Sequence, residues 1–390
     1  MTKARASLSV REDPFAQRLA ETWRSLGGFL AVGSVFFGAQ HLYLWRRLVQ
    51  GAGVRAAPVS PWLAGAVAVA IPMAVFGSRL VAPREARAWI SIVYVWIGVS
   101  TLLLLSTGLI DIARLAFGAS WTPAHALTAA AIGFGASILA IREGRRVRVQ
   151  HLEVPLGKLA AQLDGLRIVQ LSDLHVGAMI DRRFVEEVVA KVNSLSPDII
   201  VITGDLIDGR VYELESDVAP LARLRAVQGT YFVTGNHEYH AGADAWCAHL
   251  PHLGIRVLRN ERVELQSAGY PLHIAGVDDE GADLAAALAG RDASAPLILL
   301  AHQPKEVRSA IRHGVDLQLS GHTHGGQLWP LGWLLRIGQP VVAGLKRFAD
   351  THLYVSRGTG FSGPPMRLGV PAEITEVVLR STSAHKGHQA

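Results

Sequence analysis

Hydrophobic positions fall along this chain in two unlike patterns. Up to about residue 150 they run together without a clear period; beyond it they break into short blocks, each ending on polar residues. Four stretches of the first half, 27–45, 61–78, 88–110 and 123–141, contain no Asp, Glu, Lys or Arg. A helix crossing the hydrocarbon core needs roughly 20 mostly apolar residues, so the pattern predicts four transmembrane helices. Buried helices of a soluble protein are the bland alternative, and four such runs in succession disfavour it. The first run starts late, lacks a small-residue cleavage site and is followed by three more, so it reads as a span rather than a cleaved leader. Trp45, Trp62, Trp89 and Trp121 fall near the span ends, as interfacial anchors do, and Pro72 is expected to kink the second helix.

In the second half, apolar runs at 166–171, 198–203, 230–234, 297–301 and 317–320 show little alternation. That is the mark of strands buried on both faces. Helical patterns such as 181–196 separate them, which predicts an α/β domain over 165–380. Residues 1–26 read as a cytoplasmic N-terminal tail and 381–390 as a disordered one. Residues 142–164 read as a juxtamembrane connector. Its collar of Arg142, Arg145, Arg146 and Arg148 suits anionic headgroups. An edge strand is expected over His151–Leu156 and a turn over Lys158–Asp164.

Charge sharpens the division. The chain carries +6 overall, but residues 1–150 hold 16 Lys and Arg against 6 Asp and Glu, a net of +10, leaving −4 for the rest. The basic balance therefore belongs to the membrane flanks, and no nucleic-acid partner is expected. Twelve basic residues lie in the N-terminal tail, after the second run and after the fourth; Arg46, Arg47, Arg55 and Arg114 lie on the opposite side. The positive-inside rule then places the N-terminus and the α/β domain in the cytoplasm. An odd number of spans would turn that domain outward. The single cysteine, Cys247, excludes an internal disulfide and reads as inert.

The polar ends of the apolar blocks carry the chemistry. In order they are Asp173-Leu174-His175, Gly204-Asp205-Leu206-Ile207-Asp208, Gly235-Asn236-His237-Glu238, His302 and Gly321-His322-Thr323-His324-Gly325. Singly, each is weak: Gly-Asp after a strand is usually a turn, and Gly-Asn-His often a tight one. Together they supply carboxylate, imidazole and amide donors enough for two borderline divalent ions such as Mn, Fe, Zn or Co. Two cations roughly 3.5–4 Å apart can generate a nucleophile from water and clamp a phosphate. Ligands of open α/β sheets gather beyond the strands' carboxyl ends, so the five motifs are expected at one sheet edge. The remaining His240, His249, His252, His273 and His313 read as ordinary, and Asp278-Asp279-Glu280 as a solvated loop.

These motifs resemble those of the calcineurin-like metallophosphoesterase superfamily over residues 165 to about 380. The tail, Ser356-Arg357-Gly358 and Ser362 to Ile374, is similar to the bacterial YkuE/YaeI-type branch, which contains membrane-anchored or exported phosphoesterases. A related group cleaves the pyrophosphate of UDP-diacylglucosamine. The resemblance implies a β-sandwich flanked by helices, here preceded by the four-helix membrane region. It also implies roles. Asp173, His175 and His324 would hold the first metal, Asn236, His302 and His322 the second, and Asp205 would bridge them. His237 would serve the leaving group, Asp208 and Glu238 would orient ligands or the histidine, and Arg357 and Arg367 would contact phosphate. The expected protein is an integral-membrane, dinuclear-metal phosphoesterase acting on a diester, pyrophosphate or monoester. Tethering extends the candidates to lipids and lipid-linked substrates. The competing class is a membrane sensor or scaffold that uses the same fold only to bind.

Overall fold

A computed structural model describes residues 14–54, 60–78 and 80–382. It divides into two compact units, 1–134 and 135–390. The first contains α1 (Pro14–Leu44), α2 (Ser60–Gly77), α3 (Pro83–Ala116) and the start of α4 (Pro123–Gly144). The four apolar runs overlap these helices, except that Trp45 begins the π-type turns Trp45–Gln50 and Ser78 lies just past α2. Among the described residues α3 and α4 are long and apolar enough to cross a membrane, while the apolar stretch Gly65–Gly77 of α2 is shorter. Part of the expected tail, from Pro14 onward, is helical rather than loose, and residues 1–13 lie outside the described residues. Pro83 begins α3, where its missing N–H costs nothing. Near the other end of α3, the buried Asp111 accepts from Tyr43 and pairs with Arg47 and Arg114.

Among the described residues the second unit holds twelve strands. They are β1 (Val147–Leu156), β2 (Arg167–Leu171), β3 (Ile199–Thr203), β4 (Thr230–Val233), β5 (Ile255–Val257), β6 (Glu261–Ser267), β7 (Tyr270–Gly276), β8 (Leu297–Leu300), β9 (Leu317–Ser320), β10 (Gly344–Phe348), β11 (Thr351–Val355) and β12 (Ala372–Ser381). They form two six-stranded sheets, ordered β1-β12-β2-β3-β4-β5 and β10-β11-β9-β8-β7-β6. The sheets share a core in which Ile168, Ile199, Val201 and Val233 of the first meet Ile274, Ile298, Leu300 and Leu319 of the second. On the first sheet's other face lie α5 (Arg182–Ser194), α6 (Val211–Val218), α7 (Asn236–Ala241) and α8 (Ala243–His249), with Val185, Val189, Leu214 and Trp246 buried. On the second sheet's other face lie α9 (Leu284–Ala287) and α10 (Val307–Arg312), with Leu284 and Ala310 buried. The short α11 (Gly332–Leu335) follows the last histidine motif.

This layering explains the unbroken apolar blocks. β3, β4, β8 and β9 are buried at every residue because each is covered on both faces. Two boundaries differ from the sequence reading. The connector contributes β1, an edge strand beginning at Val147 and paired in parallel with β12 along its whole length. Ser381, expected in the loose tail, ends β12 and bonds Asp164 through its N–H. Residues 383–390 lie outside the described residues.

Candidate metal centre

Each motif occupies the turn at the carboxyl end of a strand: Asp173 and His175 after β2, Asp205 after β3, Asn236 and His237 after β4, His302 after β8, His322 and His324 after β9. β2, β3 and β4 belong to one sheet, β8 and β9 to the other. The motifs thus converge from two facing sheets, not from the single sheet edge that the strand pattern suggested. Turning so sharply strains the chain. Asp173, His175, Asp205, His322 and His324 all have φ between 49° and 72°, a region that non-glycine residues rarely occupy. Strain of this kind persists where surrounding contacts over-determine it. Glycines make the close approach possible: a Cβ on Gly235 would overlap the Asp205 carboxylate, and one on Gly321 would overlap Ser172 and Asp173.

Among the described residues three groups have donor atoms within 4.8 Å of one another: Asp173, His175 and His324 as the first cluster, Asp205, His302 and His322 as the second, and a third, His175, Asp208 and His237, that shares His175 with the first. In the first, His175 Nε2 lies 3.0 Å from His324 Nε2, which lies 3.5 Å from Asp173 Oδ1. In the second, His322 Nδ1 lies 3.1 Å from Asn236 Oδ1 and 3.2 Å from His302 Nε2. Asp205 stands between them, with Oδ2 3.2 Å from His302 Nε2 and 3.8 Å from His175 Nε2.

The supporting contacts suit a divalent metal. His175 Nδ1 lies 2.9 Å from Asp208 Oδ1, and His302 Nδ1 lies 2.8 Å from the Thr203 carbonyl. Both acceptors demand a proton on Nδ1, which leaves Nε2 as the nitrogen that would lose its proton and turn its lone pair to a metal ion. This is how metal-bound histidines are oriented. Asp208 serves a second ring as well, with His237 Nδ1 2.6 Å from the same oxygen. The His237 ring stacks edge-on against His175 at 4.5 Å. It therefore stands over the first cluster, although its neighbour Asn236 belongs to the second. Its Nε2 is 3.9 Å from Asp205 Oδ2.

Glu238 acts on backbone instead. Its carboxylate accepts from the N–H groups of Gly235, Asp205 and Leu206 at 2.6, 2.9 and 2.8 Å. It thereby clamps the turn after β3 to the turn after β4. Glu238→Ala would leave three buried donors without a partner, each costing about 1–3 kcal/mol. A clear fall in the unfolding temperature is the expected result, measured by thermal scanning in detergent. An unchanged temperature would show that water fills the gap.

The electrostatics reflect crowding of ionisable groups in a buried pocket. Burial opposes charge on His175 and His302, but the neighbouring carboxylates prevail. Asp208, Asp205 and Asp173 raise His175 to about 9; Asp205, Asp173 and Asp279 raise His302 to about 10. Burial, with the nearby cations on His175 and Arg367, holds His324 well below the usual histidine range and keeps it the neutral base that a ligand must be. Burial also lifts Glu238 to about 7, with Asp205 adding repulsion.

Several expectations change. Arg367 is turned inward. Its side chain is fully buried and donates to the carbonyls of Gly360, Val370 and Gly358, with Nη2 3.4 Å from His324 Nδ1. Buried with its donors engaged in this way, the guanidinium packs against His324. Arg357 is half-buried, with Nη1 2.6 Å from the buried Glu373. The acidic loop is also less solvated than expected, since Asp278 is buried and bonded to Thr234 and Arg259. Cys247 is half-buried, and burial pushes its thiol up to about 11, in keeping with inertness. The sequence reading missed the apolar segment Trp329–Ile337 directly after the last motif. Its signal was Trp329, Trp333, Leu334 and Ile337 recurring at helical spacing.

The fold and the paired clusters define a metallophosphoesterase. Residues 166–326 match the family model for calcineurin-like phosphoesterases. A Danio rerio protein named transmembrane protein with metallophosphoesterase domain is 35% identical over 376 residues, covering 87% of this chain and 86% of that protein. A Bos taurus protein of the same name is 42% identical over 253 residues, covering 60% and 57%. Bacillus subtilis YkuE, named as an uncharacterized metallophosphoesterase, is 35% identical over 231 residues, covering 56% and 81%. The chain belongs to the calcineurin-like phosphoesterase family, and it is a metal-dependent phosphoester hydrolase with candidate membrane helices α3 and α4.

Proposed function

We propose that the protein is a multi-pass membrane enzyme whose dinuclear centre hydrolyses a phosphoester at the bilayer surface. The observation that carries the dinuclear reading is the place of Asp205, whose Oδ2 lies within 3.8 Å of histidine nitrogens from both clusters. Asp173, His175 and His324 would hold one divalent ion, Asn236, His302 and His322 the other, with Asp205 shared. Such ions, among which Mn, Fe, Zn and Co suit the donor set, would polarise the phosphoryl group and acidify a water at the site. Asp208 holds the Nδ1 proton of His237, so that Nε2 can carry a second proton to the leaving oxygen. Its negative charge offsets the charge on the ring that results.

The preference for a lipid or lipid-linked substrate rests on tethering, because a site held at the bilayer meets headgroups at high effective concentration. A binding-only scaffold has no use for a histidine poised in this way. Protein loaded with Mn²⁺ and assayed on bis-p-nitrophenyl phosphate and p-nitrophenyl phosphate separates the two readings. Full metal with no turnover of either ester would favour the scaffold.

The four spans and the cytoplasmic placement of the catalytic unit belong to the same proposal. Counted on four spans, the 12-to-4 split of basic residues supports the cytoplasmic placement. Alkaline phosphatase fused after Ala390 is expected to be inactive, and a green fluorescent fusion at the same point to glow. The reverse pattern would mean an odd number of crossings.

A further inference from the structure

We propose that Trp329, Trp333, Leu334 and Ile337 form a lip that inserts into the interfacial layer of a phospholipid bilayer beside the metal centre. The inference rests on reading α4 as a membrane span and does not depend on catalysis.

The lip is built to stay exposed. Trp329, Trp333, Leu334 and Ile337 are 57%, 61%, 65% and 89% exposed. They lie on and around α11, and the two indole rings meet edge to face at 6.1 Å. Four large apolar side chains so close together are more than the scattered exposure of an ordinary surface. Arg336 is exposed among them and can run its stem along the apolar patch while its charge stays at headgroup level.

What covers this patch is indicated by what it is fastened to. Trp329 N–H donates to the Leu368 carbonyl at 2.9 Å, and Leu328 bridges Leu368. The Gln327 side chain donates to the carbonyls of Ser362 and Pro364. The same 362–369 loop meets the last turns of α4: Arg367 N–H donates to the Ala140 carbonyl at 2.9 Å, and Gly144 lies against the Pro365 backbone with no room for a Cβ. Those turns carry exposed Ile138, Leu139 and Ile141. Arg142 follows Ala140 by two residues, a rise of about 3 Å. Ala140 therefore lies where the apolar span gives way to the basic collar, which is the headgroup boundary.

The lip, the 362–369 loop and the end of α4 thus form one bonded assembly at that depth. Tryptophan favours this layer, and an amphipathic segment with apolar residues on one side lies in it. The lip also sets the depth of the chemistry. It begins five residues after His324, and Thr323 bonds the Val342 carbonyl just beyond it. A phosphoester at headgroup depth would meet the centre without leaving the leaflet.

The test uses the full chain carrying Cys247→Ser and Ile337→Cys, labelled with an environment-sensitive nitrobenzoxadiazole dye. It is reconstituted in vesicles of phosphatidylcholine and phosphatidylglycerol. Co-flotation with the vesicles, read first, tests the span; a chain that does not float overturns the lip with it. In floated protein the dye is expected to emit to the blue, to be quenched by doxyl-labelled lipid and to resist aqueous iodide. Val227→Cys, at a site 82% exposed, supplies the aqueous reference. Iodide quenching equal to that reference overturns the proposal. So does shielding from both quenchers, which would mean that a protein surface, such as a second copy of the chain, covers the patch. None of these readings needs turnover, so the lip can fail while the hydrolase stands.

Discussion

Asp205→Asn is expected to remove tightly held metal from both clusters and to lower turnover by more than the ~10–100-fold that loss of an outer-shell partner costs. The substitution keeps size and shape but removes a carboxylate whose Oδ2 approaches histidine ring nitrogens of both clusters, at 3.2 Å to His302 and 3.8 Å to His175. Oδ1, which accepts the His237 N–H at 2.9 Å, can still be mimicked by the amide oxygen, so the turn should survive. The fold should therefore persist, but the metal-free protein should unfold at a lower temperature, because His302 and His175 lose the carboxylate that stabilises their charge. Elemental analysis should fall from about two metals per chain. A variant that retains both ions and its activity would remove Asp205 from the bridging position.

Loss of His237 should act on chemistry and leave the metals in place. The ring makes no approach to Asn236, His302 or His322 that would require it in the second cluster. Its Nδ1 is bound to Asp208, and its Nε2 faces Asp205 at 3.9 Å. If Nε2 delivers a proton, the effect must grow with the basicity of the leaving group. His237→Ala is expected to slow hydrolysis of alkyl phosphoesters by ~10²–10⁴-fold, the usual contribution of a general acid. Esters of p-nitrophenol, which leave without protonation, should suffer far less. Equal slowing of both with full metal would make His237 a group that orients phosphate. Loss of metal would mean that His237 is itself a ligand, as its grouping with His175 and Asp208 within 4.8 Å also permits.

Much of this site was legible in the chain. The apolar blocks ended within a residue or two of β2, β3, β4, β8 and β9, because a strand covered on both faces has no choice but to be apolar throughout. The donor types were legible for a similar reason. Packing does not select Asp, His and Asn at five strand ends, so metal chemistry was the economical explanation. The connector was harder to read. β1 alternates in exposure along an edge, and its partner β12 lies more than 200 residues away.

The arginines show the other limit. Arg357 and Arg367 look alike in sequence, both near glycines in one loop-rich tail. Nothing local says that Arg367 is enclosed by the carbonyls of Gly358, Gly360 and Val370 and aimed at His324, while Arg357 pairs with Glu373. Asp208 likewise looked like one supporting carboxylate; it holds His175 and His237 together.

By itself, then, the sequence determined the kind of chemistry, the strand ends that carry it and the apolar helices that precede it. Each of these is recorded in a few neighbouring residues. The tertiary structure decided that the candidate ligands arrive from two sheets, that five of them sit in left-handed turns and that Arg367 turns inward. It also decided that the Trp329–Ile337 lip is bonded to the loop that meets the end of α4. These depend on contacts between residues far apart in the chain, where the free energy of burial and hydrogen bonding is settled only once the whole domain has closed.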